Sequence, residues 1–239
     1  MNSDLAQIWV YLSTRPLLWL TLTLAAYVIG ETISVHFKRH ALANPVVIAA
    51  GLLTLLLILT GTPYQSYFEG AQFVHFMLGP ATVALAIPLY HNLGRVRRAL
   101  VPMAVALFAG SVTAAVSAVG IAWLLGAPPE ILASLAPKSV TAPIAMELAK
   151  SLGGIPSLTA VLVVATGIIG ALMVTPLLNA LRFKNYAARG FAAGVTSHGI
   201  GTARAFQVSE LAGTFAGIAM GLNGALTSLI VLIWLALSG

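Results

Sequence analysis

From Leu158 to Leu181 the chain carries no charged side chain, and comparable apolar runs recur from Leu17 to Leu237. A run of about 20 such residues matches the hydrocarbon thickness of a bilayer. Inside hydrocarbon every backbone polar group must find its partner within the protein, so helices are the expected solution. The fold class read from the chain is an all-α integral membrane protein: one polytopic domain, 1–239, with about eight membrane segments. Charged residues make up 8% of the 239 and mean hydropathy is +0.97. Soluble domains carry about 25% charged residues, so the composition is that of a lipid-embedded chain.

The segments follow from the apolar runs and their breakers. Asp4 to Ser13 is short and partly polar, an interfacial or partial helix. Leu17 to Phe37 is a span, followed by the basic loop Lys38, Arg39, His40. Pro45 to Gly61 is a second span, and Pro63 to Glu69 a turn with two tyrosines. Ala71 to Tyr90 is interrupted at Gly79-Pro80 and Pro88. A second basic loop holds Arg95, Arg97 and Arg98. Ala99 to Leu125 is a long span ended by Pro128-Pro129. Ile131 to Leu152 carries a polar knot, Leu158 to Leu181 is a span, and Arg182, Lys184 and Arg189 form a third basic cluster. Ala187 to Leu211 holds a second knot, and Gly213 to Leu237 closes the chain. The N-terminus shows no basic leader with a small-residue cleavage site, so the whole chain is read as mature.

Basic loops stay on one side of a membrane, which tests this layout. Two segments separate the first basic loop from the second, which is consistent. Three separate the second from the third, which is not consistent if each crosses once. Either Ile131 to Leu152 dips in and returns as two half-helices hinged near Pro137, or one basic loop breaks the rule. Gly79-Pro80-Ala81-Thr82 and Gly199-Ile200-Gly201-Thr202 share a Gly-x-x-Thr pattern at a spacing of 120 residues. That echo suggests repeats 17–125 and 131–239, inverted across the bilayer if the first knot is re-entrant, as in many secondary transporters.

The knots carry the chemistry. In Pro137-Lys138-Ser139-Val140-Thr141-Ala142-Pro143, Pro137 stops a helix, Ser139 or Thr141 can cap the next, and Pro143 suits its first turn. A half-helix starting there aims free N–H groups and the positive dipole end at the break, beside the Lys138 charge. The result is a receptacle for a small carboxylate; the alternative is a Lys138 that snorkels to an interface. In Thr196-Ser197-His198-Gly199-Ile200-Gly201-Thr202-Ala203-Arg204, Gly199 and Gly201 permit left-handed or close-approach backbone and Thr202 can cap the following half-helix. Arg204 can grip a carboxylate bidentately, or pair with Glu147 or Glu210 in a structural or gating role. His198 can carry a coupled proton, or sit neutral against a backbone carbonyl. Gly79 and Thr82 offer the same geometry without charge. Asn223 reads as a polar helix-packing residue, and Glu147 and Lys150 share a helical face.

No paired carboxylates, metal-ligand spacing, catalytic triad or phosphate loop stands out, so no enzyme, cofactor or metal site is expected. With its cations in short loops, the net charge of +6 reflects topology rather than nucleic-acid affinity.

Three blocks resemble, in order, signatures of the LrgB/CidB family of bacterial inner-membrane proteins: Leu78 to Tyr90, Pro137 to Glu147 and His198 to Ala205. The likeness runs from about Asn44 to the C-terminus. It implies a multi-pass protein of the inner (cytoplasmic) membrane with a partner of the LrgA/CidA type. Family members are described as holin- or antiholin-like modulators of murein hydrolase activity and autolysis. Plastid relatives export glycolate and glycerate, and bacterial members are linked to pyruvate movement.

Together these give two expectations. The first is a secondary transporter of small monocarboxylates (glycolate-, glycerate- or pyruvate-like), homodimeric because a moving repeat needs a fixed scaffold. Lys138, Ser139, Thr141, His198, Gly199, Gly201, Thr202, Arg204, Gly79 and Thr82 would line its substrate site, with Glu147 and Glu210 in gating pairs. The second is an antiholin-like membrane regulator without turnover, acting through Gly-x-x-x-Gly faces at Gly213, Gly217 and Gly221. A passive channel is a third reading, marked by uptake that does not saturate.

Overall fold

The computed structural model describes residues 16–39, 43–77, 80, 83 and 86–238; the N-terminal segment at 4–13, Gly79 and Thr82 lie outside the described residues. The chain forms two compact units, Met1–Ala84 and Leu85–Gly239, and all the regular structure described is helical.

The first unit contains α1 (Pro16–His36), α2 (Pro45–Thr60) and α3 (Tyr64–Phe76). Asn44 caps α2, its Oδ1 accepting from the Val46 and Val47 amides at 2.9 and 3.4 Å, with Pro45 in the first turn. Gly61, at φ 63°, closes the same helix in the left-handed conformation that glycine adopts without a Cβ clash. Trp19 is fully buried and meets the Tyr67 ring edge-on at 5.8 Å.

The second unit contains α4 (Ala86–His91), α5 (Leu93–Arg98), α6 (Leu100–Leu124), α7 (Pro129–Leu135), α8 (Ala142–Ser151), α9 (Pro156–Ala180), α10 (Tyr186–Val208) and α11 (Glu210–Ser238). Four of the described helices are long and apolar enough to cross a membrane: α1, α6, α9 and α11. Of the eight segments expected, both knot-bearing ones of this unit fold back on themselves, Pro45–Thr60 is a shorter apolar helix of 16 residues, and 71–90 is described only in part.

The sharper fold-back lies inside α10. Ser197 (φ −129°, ψ 15°) and His198 (φ 40°, ψ −129°) leave helical geometry there. Eight residues of straight helix span about 12 Å. Yet a Cβ on Gly201 would stand 2.6 Å from the carbonyl oxygen of Ala193, eight residues earlier. The arms 186–196 and 199–208 are therefore a hairpin. α11 confirms the reversal. Gly190 packs on Ala212 and Gly194 on Ala216, so the first arm runs parallel to α11, whereas Phe206 packs on Gly213 and Thr202 reaches Met220, so the second runs antiparallel. The expected break within 187–211 is present, but the count of this stretch as one membrane segment is corrected to a hairpin.

The first knot makes a similar return. α7 has 7 residues and α8 has 10, lengths of about 10 and 15 Å against a hydrocarbon core of about 30 Å. Ser134, near the end of α7, lies against the start of α9: its hydroxyl accepts from the Ile155 amide at 2.7 Å and its carbonyl from the Thr159 hydroxyl at 3.1 Å. The break at 136–141 reaches one turn further along α9, where Val140 and Ala145 pack on Val163. α8 then brings the chain back to Ile155.

The two hairpins enter from opposite ends of α9. The first starts beside Thr159; the second starts beside Thr175, whose carbonyl Arg189 reaches at 3.5 Å, and turns beside Gly167 and Gly170. Meanwhile α6 and α11 run in the same direction, Met103 and Leu107 packing in one cluster with Phe215 and Ala219, and Ser111 bonding Asn223. A shift of 120 residues lays 99–119 over 219–239, and the helices that hold these two stretches run parallel, whereas the two hairpins enter in opposite directions. The second and third basic loops also share one end, since Ala99 lines the same groove as Asn185, Ala187 and Ala188. That is the parity the charge rule requires once neither hairpin crosses.

Candidate functional site

Both hairpin tips converge on two residues. One is Asn223, fully buried near the middle of the 29-residue α11. Its Nδ2 donates to the Ser139 carbonyl in the first break and to the Val195 carbonyl just before the second, both at 3.1 Å. Its Oδ1 accepts from the Ser111 hydroxyl on α6. Both amide protons are used, so one side chain ties two hairpins and two long helices together. The other is Val163, whose side chain packs on Val140 and Ala145 of the first hairpin while its carbonyl accepts from His198 Nε2 of the second at 2.9 Å.

Small residues on α9 make room for the second tip. A Cβ on Gly167 would stand 2.7 Å from His198 Cε1, and one on Gly170 would fall on Ser197 Oγ. The turn itself is strained. A positive φ is expensive for a residue with a Cβ, costing about 1–3 kcal/mol, and here histidine adopts it rather than the adjacent glycine. Of the two roles expected for Gly199 and Gly201, left-handed or close-approach backbone, neither glycine takes the first and Gly201 takes the second. Gly201 allows the arms to touch, and Gly199 sits exposed just past the turn.

The remaining expected site residues divide by position. Ser139, His198 and Thr202 are buried at or near the tips. Lys138 is half-buried within the first break, its amide bonded to the Leu135 carbonyl at 3.2 Å. Thr141 occupies the N-cap position of α8, with Pro143 in the first turn, but neither it nor Thr202 caps through its side chain. The Thr202 hydroxyl donates to the His198 carbonyl at 2.8 Å, within its own arm.

Arg204 stands apart. It lies six residues beyond His198, about 9 Å along the second arm, in a crevice with Tyr186, Arg189 and Val174, and its Nη1 donates to Gln207 Oε1 at 3.2 Å. Its surroundings are therefore the open end of the hairpin, while Lys138 lies in the break of the other. Glu147 and Glu210 are exposed on α8 and in the first turn of α11. Among the described residues no ion pair joins Glu147 to Lys150.

Ser111, Val163, Gly167 and Gly170 were not singled out from the sequence. The Gly-x-x-Gly spacing at 167 and 170 was the available signal, since two small residues one turn apart mark a notch. Asn223, read only as a packing residue, proves to be the packing residue on which both breaks depend. The arrangement places hydroxyls, a histidine, an amide and, half-buried, an ammonium around interrupted backbone at mid-helix depth. The Asn223 amide protons, the Thr202 hydroxyl and His198 Nε2 are committed to backbone carbonyls, and Lys138 is the cationic group of the first break.

Comparison with known proteins gives one family. The model described as LrgB-like family matches residues 23–237. The chain is similar to YwbG of Bacillus subtilis (strain 168), a relative whose name assigns no activity, with 35% identity over 87% of this chain and 92% of that protein. It is similar to the holin-like protein CidB of Staphylococcus epidermidis, 29% identical over 91% of this chain and 94% of that one. Similarity to the antiholin-like protein LrgB of Bacillus cereus is 28% over 90% and 94%. No solved structure matches.

Proposed function

The chain belongs to the LrgB-like family, and from that premise we propose that it moves small monocarboxylates across the bacterial inner membrane. The observation that carries this reading is the meeting of two oppositely entering hairpins at Asn223 and Val163. Unwound backbone and buried polar side chains at membrane depth need a function to offset what they cost in hydrocarbon. On this reading both hairpins are re-entrant, Lys138 and the α8 N-terminus attract the carboxylate, and His198 and Thr202 contact its hydroxyl or oxo end. Arg204, at the open end of its hairpin, serves entry or gating rather than the central contact. A homodimer would supply the scaffold against which the hairpins move.

A second reading has its own support. The relatives bear holin-like and antiholin-like names, which favour a membrane regulator of murein hydrolase activity, working with an LrgA/CidA-like partner, more than they favour a carrier. Of its candidate faces, Gly213 is already packed on Phe206, whereas Gly221 has open space beside it.

Uptake of labelled glycolate and pyruvate into proteoliposomes separates the two. The carrier reading expects saturable uptake that Lys138→Gln and His198→Asn reduce at least tenfold while both variants remain folded. Uptake absent from wild type, together with altered autolysis in cells carrying Gly221→Leu, would support the regulator instead. Uptake proportional to substrate without limit would mark a passive channel.

A further inference from the structure

The groove between α6 and the first arm of α10 has a volume of about 430 Å³. Each wall is a row of small residues one turn apart: Pro102, Ala106 and Gly110 on α6, and Ala188, Ala192 and Thr196 on the arm. Phe191, Val195 and Phe215 form its floor. From Ala99 to Gly110 it runs eleven residues, about 16 Å, which is close to half the hydrocarbon thickness of a bilayer. One end stops beside the second hairpin tip. The other opens between two basic loops, where Arg95, Arg97, Arg98, Arg182 and Lys184 are all exposed.

An apolar slot of one-leaflet depth under a cationic mouth fits an amphiphile. We propose that this groove binds an anionic phospholipid from the leaflet on the basic side, one acyl chain lying along the slot and the headgroup phosphate held by the arginines and Lys184. Charge complementarity selects the occupant. A neutral lipid or an apolar helix satisfies the slot but leaves five exposed cations without a counterpart, whereas cationic clusters between helices at a membrane surface attract anionic headgroups. The acyl chain ends against Val195 and Thr196, directly before the Ser197–His198 turn, so occupancy bears on how the hairpin sits. The proposal needs only that the chain lies in a membrane, and it stands or falls separately from carboxylate transport.

Native mass spectrometry of the full chain in detergent, titrated with phosphatidylglycerol or phosphatidylcholine of matched acyl chains, tests it. Phosphatidylglycerol adducts are expected to exceed phosphatidylcholine adducts several-fold, and Arg97→Gln with Lys184→Gln should bring the two level. Ala106→Phe and Ala188→Phe, on opposite walls and both exposed, should each lower retention several-fold by filling the slot; two variants guard against one that fails to fold. Equal binding of the two lipids overturns the proposal. So does full retention of phosphatidylglycerol by both folded wall variants, or a co-purifying apolar polypeptide that excludes lipid from the wild type.

Discussion

Replacing Asn223 by alanine would remove a side chain that bonds both hairpins. In the wild type it satisfies two buried carbonyls, of Ser139 and Val195, and accepts the Ser111 hydroxyl. Each buried group left without a partner costs about 1–3 kcal/mol, so three orphaned groups sum to about 3–6 kcal/mol once partial rearrangement is allowed. For a chain of this size about 1 kcal/mol moves Tm by about 2–4 °C, which predicts a fall of about 6–24 °C. Thermal unfolding of purified protein in one detergent, followed by size-exclusion fluorescence, reads this directly. Ser228→Ala is the control, because that hydroxyl only bonds the Gly224 carbonyl of its own helix at 2.8 Å and should shift Tm by little. Ser111→Ala should cost less than Asn223→Ala, and the double variant should fall short of the sum because the two share a bond. If Asn223→Ala and Ser228→Ala melt together, the tie between the hairpin tips carries no stability and the reasoning fails.

Two further outcomes follow from the packing and topology. Gly170→Ala places a methyl on Ser197 Oγ and should lower stability by about 1–3 kcal/mol through overpacking. Gly120→Ala, in open space within α6, should raise it by about 0.5–1 kcal/mol, and a matched pair of melts that shows no difference refutes the notch. The wild-type chain has no cysteine, so single-cysteine variants report sidedness cleanly. Arg97→Cys and Lys184→Cys should react with an impermeant thiol reagent from one side of an oriented vesicle and Glu130→Cys from the other; labelling of positions 97 and 184 from opposite sides breaks the hairpin topology.

Much of the architecture was already legible as a matter of composition and parity. Apolar runs pointed to a helical membrane fold, and three basic loops left two choices: Ile131 to Leu152 returns rather than crosses, or one loop breaks the charge rule. The break near Pro137 was visible because proline and hydroxyls have no business in the middle of a packed rod. The second return, within 187–211, was not, because a straight helix and two antiparallel half-helices have the same local sequence period. Its two glycines drew attention to the right place while the positive φ fell on His198, a choice made by the Val163 carbonyl and by the space over Gly167 and Gly170. Local chemistry along the chain thus determined which segments enter the lipid and where they break. Only tertiary packing decided that the breaks meet, since Asn223 reaches its partners Ser139 and Ser111 across 84 and 112 residues, and no local pattern encodes a hydrogen bond between residues so far apart.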